Sequence, residues 1–391
     1  MKFLHTSDWH VGKTLRGRTR LDEQRAVLGE IVEITRREQP DAVLVAGDVY
    51  DSSVPSADAQ SLVVRTLLAL RDTGAEVLVV AGNHDHPRTF DAYRPLMAAV
   101  GITMLGTFLA PAAGGVVSFR ARTTGEKANV ALLPFLSQRY AVRAADLIDA
   151  TAADNAASYD QRVRDIVAGL ATGFTDDGVN VLMSHLTVVG GVLGGGERSA
   201  QSIFEYYVNA NAFPADTHYV ALGHLHRRQT MPAPCPVVYC GAPIAVDFGE
   251  QDNSPVVCRV EVTPTTPARV GDIPITSARI LRTVIGTVAE ILDQKNSFGD
   301  AYLRVVLREP SRAGIKDEIT SELPNALEVR IDPEFSATAA PTTATRTGRT
   351  PEELFAEFCT ERGIVDPRLA SLFAQLHDDL TTADDAGVTA V

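Results

Sequence analysis

Five apolar runs of strand length in this chain end in the same kind of tip. KFLHTS is followed by Asp8 and His10, VLVA (43–46) by Gly47, Asp48 and Asp51, and VLVV (77–80) by Asn83, His84, Asp85 and His86. NVLMS (180–184) runs directly into His185, and YVALG (219–223) into His224 and His226. Runs of this kind read as buried strands, and carboxylates or imidazoles do not follow a strand into a core without partners. In an open α/β sheet the carboxyl ends of parallel strands lie along one edge, so tips far apart in sequence can meet there. An α/β protein with its chemistry at the strand ends is the expectation.

The connections favour parallel strands. Val27, Ile31 and Ile34 recur at i, i+4 and i+7 between the first two runs, and SADAQSLVVRTLLALRD, opened by Pro55 and Ser56, lies between the second and third. NVALLPF (129–135) reads as a further strand and NAASYDQRVRDIVAGL (155–170) as a helix. VVYCG (237–241), VVCRVEV (256–262) and RVGDIPI (269–275) then follow with no helix between them, in the manner of antiparallel strands. Residues 1–275 are therefore expected to form a two-sheet β-sandwich flanked by helices.

Two further pieces follow. Over 276–335 the strands RILRTVIG, AYLRVVLRE and ALEVRI alternate with short helices, one opened by the capping-box pair Thr287 and Glu290, which predicts a small α+β capping domain. SATAAPTTATRTGRT (336–350) has the composition of a flexible linker. Residues 351–382 read as a helical hairpin, with Thr350 as cap, Pro351 at the first turn, an apolar stripe of Leu354, Phe355 and Phe358, and a stop at Gly363. Its second helix, from Asp366-Pro367, places Leu369, Leu372, Phe373, Leu376 and Leu380 along one face. A hairpin this short cannot bury these faces by itself, so it docks on the main body or, as the linker's reach favours, on a partner helix, with 383–391 as a tail.

Charge and cysteines narrow the function. A net charge of −13 excludes a protein that coats nucleic acid through overall positive charge. Residues 351–391 hold nine acidic and two basic side chains, so the acidity is concentrated at one end, and residues 11–20 carry four cations and no anion. Cysteines 235, 240, 258 and 359 have neither metal nor disulfide spacing and read as buried thiols in a reducing compartment. The start MKFLHTSD lacks a secretory pattern, and the uncharged stretch 95–119 is broken by Gly101, Gly106, Pro111, Gly114 and Gly115. No membrane span is expected, and the reading is cytoplasmic.

The tips supply seven donors: Asp8, His10, Asp48, Asn83, His185, His224 and His226. Seven exceed what one tetrahedral zinc accepts and suit two ions of higher coordination sharing Asp48. Four imidazoles without sulfur point to manganese, iron or catalytic zinc. Manganese is favoured and magnesium is the less suited alternative.

The ordered set D-x-H, G-D-x-x-D, G-N-H-D, H and G-H-x-H resembles the calcineurin-like metallophosphoesterases. YVALGHLHRRQ, YCGAPIAVDFGE and GDVYDSSVPS are similar, within them, to the SbcD-type subunits of bacterial DNA nucleases. The resemblance implies one ion held by Asp8, His10, Asp48 and His226, a second held by Asp48, Asn83, His185 and His224, and His84 as a catalytic histidine outside the ligand set. It further implies metal-dependent hydrolysis of DNA phosphodiesters, at duplex ends and on single strands or hairpins, in DNA repair and recombination. The implied partners are DNA, an SbcC-like coiled-coil ATPase bound through 351–382, and a second copy in a homodimer.

Other features are less decided. Asp51 either orients His84 or caps its turn, and Asp85 and His86 fit turn or supporting roles. Lys13, Arg16, Arg18, Arg20, Arg227 and Arg228 stand beside metal motifs and are candidate DNA phosphate contacts. VGKT (11–14) fails as a phosphate loop because position 7 is Ser7 rather than glycine, and GGVLGGG (190–196) reads as a loop near the site. His5 and His377 read as structural. The competing reading is a phosphatase or small-nucleotide phosphodiesterase of the same fold, which has no use for the added small domain and tethered hairpin.

Overall fold

Strand alternation sorts the apolar residues into three layers of core. In the computed structural model the described residues are 1–137, 159–197 and 207–335, with 355–356, 358–360, 369 and 372–373. Met1–Phe335 forms one unit and Ser336–Val391 another. The expected linker 336–350, most of the hairpin 351–382 and the tail lie outside the described residues.

The first sheet has six strands in the order Thr266–Pro274, Val256–Thr263, Lys2–Thr6, Ala42–Ala46, Glu76–Val80 and Ile102–Leu105. The last four are mutually parallel, as the intervening helices Leu21–Glu38, Ala57–Asp72 and Pro87–Ala99 require. The second sheet orders Gln229–Met231, Val237–Tyr239, Tyr219–Gly223, Gly178–His185, Lys127–Leu133 and Val116–Arg120. Phe3, Leu44, Leu78 and Val80 of the first sheet meet Val130, Val181, Met183 and Ala221 of the second in a shared core. Their alternates Leu4, Val43 and Val45 pack on Val27, Ile31, Val63 and Leu67 of the first two helices. On the far side Leu182, Val220 and Leu222 pack on Val163, Ile166 and Leu170 of the helix Tyr159–Ala171. The period of two thus buries the inner strands on both faces, and only their ends remain for polar work.

One strand differs from the sequence expectation. Val237–Tyr239 pairs parallel with Tyr219–Gly223 although no helix separates them, while Val256–Thr263 runs antiparallel to Lys2–Thr6 in the other sheet. The short antiparallel strand Gln229–Met231 makes the return that a helix would otherwise make. The chain then changes sheets through 240–255, carrying that segment past the strand ends.

Residues 281–331 make a three-stranded parallel sheet, Leu281–Gly286, Tyr302–Leu307 and Ala326–Ile331, with helices Val288–Asp293 and Ile315–Glu322. Val284, Ile291, Leu303, Val305, Ile315 and Ile319 form a core of its own. The capping box at Thr287 and Glu290 is present, as is the Ser56 cap, whose side chain accepts from the Ala59 amide. In the second unit the rings of Phe355 and Phe373 stack with centroids 4.2 Å apart and planes within 5°. The two predicted helices therefore touch each other through aromatic side chains.

His5 sits wholly inside the first strand, 2.8 Å from the Tyr219 hydroxyl. Burial, with help from the Arg228 charge, lowers its pKa from 6.5 to about 3. The unfolded chain therefore takes up a proton that the fold refuses, so stability is full above pH 6.5 and falls as pH drops from 6.5 toward about 3. The slope from this residue is about 1.4 kcal/mol per pH unit within that window. His5→Gln is expected to flatten the acid side of a plot of urea midpoint against pH, and an unchanged slope would refute the assignment.

Candidate metal centre

Backbone conformation brings the tips inward. Asp8, His10, Asp48 and His224 all adopt positive φ, between 45° and 101°, and among the described residues only Arg16 and Gln39 are other non-glycine cases. Each such residue costs on the order of 1–3 kcal/mol, a strain that persists where the surrounding structure holds a functional geometry. Two glycines allow the strand ends to approach. A Cβ on Gly82 would lie 2.2 Å from Asp48 Oδ1, and one on Gly223 would lie 1.9 Å from the Ala46 carbonyl oxygen.

Asp48 is the hub. Its Oδ2 lies 3.6 Å from His10 Nε2, 3.5 Å from His185 Nε2 and 3.9 Å from His84 Nε2, and its Oδ1 accepts the His84 backbone N–H at 2.8 Å. On one side His10 Nε2 faces His226 Nε2 at 3.0 Å, and Asp8, His10 and His226 offer ligand atoms within 4.8 Å of one another. On the other side Asn83 Oδ1 lies 2.9 Å from His185 Nε2 and 2.8 Å from His224 Nδ1, and Asp48, His185 and His224 form a second such group. All seven residues named from the strand tips are brought together. Apart from Asn83, which is part-buried, they are almost wholly buried.

The donor set fits divalent cations. The Ala46 carbonyl can only accept, so at 2.9 Å it fixes the hydrogen of His185 on Nδ1 and turns the Nε2 lone pair toward Asp48 and Asn83. Glu250 Oε1, 2.5 Å from His226 Nδ1, does the same for that ring. Lone pairs and carboxylate oxygens thus converge, and such an arrangement repels itself unless cations lie among them. Protonation shows the same pull. Burial lowers the His185 and His226 pKa values, but Asp48 lifts the first to about 9 and Glu250 lifts the second to about 10. Burial and the His185 charge push His224 down to about 3.

The residues around His84 are placed as follows. His84 Nδ1 lies 2.7 Å from the Asp51 backbone carbonyl, whereas the Asp51 carboxylate is 3.8 Å away. The carboxylate pairs instead with Lys13 at 3.1 Å and lies 3.6 Å from His10 Nδ1. Of the two readings left open for Asp51, the geometry has it meet the imidazole through its main-chain carbonyl, with the carboxylate beyond hydrogen-bond distance. Asp85 accepts backbone N–H groups from Gly82, Val49 and Tyr50 and ties two strand-end loops together. Burial, and then Asp48, raise its pKa to about 7. His86 caps the helix Pro87–Ala99, its ring accepting from the Thr89 amide.

Most of the basic candidates are committed elsewhere. Arg20 is 2% exposed, pairs with Glu23 through two nitrogens at 2.8 Å each, and donates to the Ala245 carbonyl. It cannot reach a phosphate, so its placement among DNA contacts is corrected to a structural one. Arg16 pairs with Asp247 at 3.0 Å and Glu328 at 2.8 Å, Arg18 donates to the Pro324 carbonyl, and Arg228 pairs with Asp272 at 2.8 Å. The hairpin built from Thr14–Leu15 and Arg18–Thr19 is thus a strut against the small three-stranded sheet. Arg227 is exposed, and Lys13 is half-buried with its amine on Asp51.

Two acids join the site that no strand tip announces. Glu250, 1% exposed, holds His226, and Glu197 accepts from the amides of Gly194, Gly195 and His226. The glycine-rich loop before Glu197 is therefore pinned to a ligand by that carboxylate. The one local signal for Glu250 is the run VDFGE, which carries a family likeness but no donor pattern of its own.

Residues 1–228 match the model of the calcineurin-like phosphoesterase family. The chain is 35% identical over 285 residues to the SbcD subunit of the SbcCD nuclease of Bacillus subtilis (strain 168), covering 72% of this chain and 71% of that one. It is 29% identical over 315 residues to the corresponding subunit from Escherichia coli (strain K12), covering 77% and 74%. Among solved structures, a dimetal phosphatase from Danio rerio superposes with a TM-score of 0.42 at 15% identity, over 71% of this chain and 99% of that one.

Proposed function

Because the chain belongs to the calcineurin-like phosphoesterases, and within them to the family of the SbcD subunits of SbcCD nucleases, we propose that it is a metal-dependent DNA nuclease. Its substrates are duplex ends and single-stranded or hairpin DNA, its setting is DNA repair and recombination, and its preferred ion is manganese. The observation that carries the reading is the pair of donor groups, one of Asp8, His10 and His226 and one of Asp48, His185 and His224, which Asp48 links by lying 3.6 Å from His10.

In this reading Asp8, His10, Asp48 and His226 hold one ion, and Asp48, Asn83, His185 and His224 hold the other. When bound, such a pair acidifies a water and offsets the charge that develops on phosphoryl oxygens. The protein's own groups do the rest. The Asp51 carbonyl keeps a hydrogen on His84 Nδ1, so His84 Nε2 is the nitrogen turned to the substrate and, when protonated, gives its proton to the leaving oxygen. Asn83 contributes an oxygen without adding charge, which limits repulsion of the anionic substrate. Of the six basic candidates, exposed Arg227 is left to meet a DNA phosphate, and Lys13 would do so by leaving Asp51.

End-labelled duplex DNA, bis-nitrophenyl phosphate and a phosphomonoester, each with manganese, magnesium or chelator, test the proposal. Cleavage of the two diesters with manganese and none with chelator is expected. Preferential turnover of the monoester would establish the phosphatase reading instead.

The hairpin 351–382 is assigned to the coiled coil of an SbcC-like ATPase, and a homodimer is the assigned state. The stacked Phe355 and Phe373, with Phe358 and Leu372 about half exposed, support an apolar docking face. Removing residues 350–391 is expected to abolish co-purification with the ATPase while diester cleavage continues. Retained co-purification would place the contact elsewhere.

A further inference from the structure

The turn Phe248–Glu250 touches the metal centre on one side and the small three-stranded unit on the other, and we infer that the small unit positions the ligand His226 through it. On the inner side, Glu250 Oε1 lies 2.5 Å from His226 Nδ1 and Oε2 accepts the Val246 amide at 2.7 Å. A carboxylate in this place sets the orientation of the ring and raises its basicity as a ligand. The turn leaves the carboxylate no slack, since a Cβ on the neighbouring Gly196 would stand 2.1 Å from Glu250 Oε1.

On the outer side the same turn is held by residues that touch no ligand. Asp247 pairs with Arg16 at 3.0 Å and lies 3.7 Å from Arg304, which belongs to the central strand Tyr302–Leu307. The buried ring of Phe248 has the Arg304 guanidinium 4.7 Å from its centroid and that of Arg16 at 5.9 Å. Glu328 bridges both arginines, to Arg16 Nε at 2.8 Å and to Arg304 Nε at 3.1 Å. Gln251 Oε1 accepts the Thr283 amide of the first strand at 2.9 Å. Leu15, Ala245, Phe248, Leu281 and Tyr302 close an apolar cluster around these pairs.

Three segments far apart in sequence, the hairpin, the turn and the small sheet, thus share one network whose inner end is His226. Arg304 is a positioning residue: its loss leaves Asp247 and Phe248 with Arg16 as their cationic partner and uncouples the turn from the central strand, which loosens the base from which Glu250 holds the ring. Movement of the small unit, for example on DNA or ATPase binding, would reach the metal centre by the same route.

The inference rests on His226 being a metal ligand, and the test separates the two ideas. Manganese is titrated into the full-length protein and followed by calorimetry and electron paramagnetic resonance. Wild type is expected to bind two ions with an exchange-coupled spectrum. Glu250→Gln should weaken one ion by about 10–100-fold and remove the coupling at sub-saturating metal. Arg304→Ala should weaken the same ion in the same direction, with Arg304→Lys intermediate. Arg308→Ala, which removes the pair with Asp332 in the same small unit, should leave both affinities unchanged. A wild type that binds fewer than two ions would defeat the reading of the site. Two ions bound with unchanged affinity by Glu250→Gln and Arg304→Ala, or equal losses in Arg304→Ala and Arg308→Ala, would overturn the positioning role.

Discussion

His84→Ala should slow phosphodiester hydrolysis by about 100- to 10,000-fold, the range of a positioned general acid, while the protein keeps its wild-type metal content. Of the four imidazoles near Asp48 Oδ2 or Asn83 Oδ1, His84 is the farthest from the oxygen it faces, at 3.9 Å, and its Nδ1 is committed to the Asp51 carbonyl. The backbone amide of residue 84, which donates to Asp48 Oδ1, survives the substitution, so the hub keeps that support. His84 is 6% exposed, and truncation leaves a small gap at the site mouth rather than a broken core. Metal content by mass spectrometry and single-turnover rates decide the matter. Full activity would remove His84 from the chemistry, and loss of an ion with the rate would put it among the ligands.

Asp48→Asn should abolish binding of both ions and take hydrolysis to background. Asp48 is the carboxylate within 3.6 Å of an imidazole nitrogen of each donor group, so its charge serves both. The amide oxygen can still accept the residue 84 amide. Its neutral NH2 group, placed where Oδ2 was, removes the negative charge that draws a proton onto His185 and lifts that ring to about 9. The metal-free variant is therefore expected to unfold at a lower midpoint than metal-free wild type near neutral pH, and to bind no manganese. A variant that still binds two ions would show that Asp48 is not shared. One that keeps wild-type stability in the metal-free state would show that the Asp48 carboxylate does not pair with the imidazoles around it.

Much of the architecture was legible because it is local. Ser56, Thr287 and Glu290 announce helix starts by contacts within three residues, and the apolar strands announce themselves by composition and length. The parallel return of Val237–Tyr239 was not legible, since the short strand that makes it carries no helical period. The basic run at 11–20 misled for a related reason. Four cations with no anion inside the run look free for phosphate, yet Arg16 finds Glu328, 312 residues away, and Arg20 disappears into a core beside Ala245 with Glu23, three residues on, as its partner.

The types of group available for chemistry, and the fact that each stands at the end of a buried run, were determined by the sequence alone, because a strand's ending is a property of its own residues. Which nitrogen of each histidine points inward, that Asp51 acts through its carbonyl, that Glu250 and Glu197 brace a ligand, and which arginines remain for DNA were decided by the tertiary structure. Proton placement and ion pairing depend on distances of a few ångströms between groups that the chain holds tens to hundreds of residues apart. No local pattern encodes such distances until the sheets have packed.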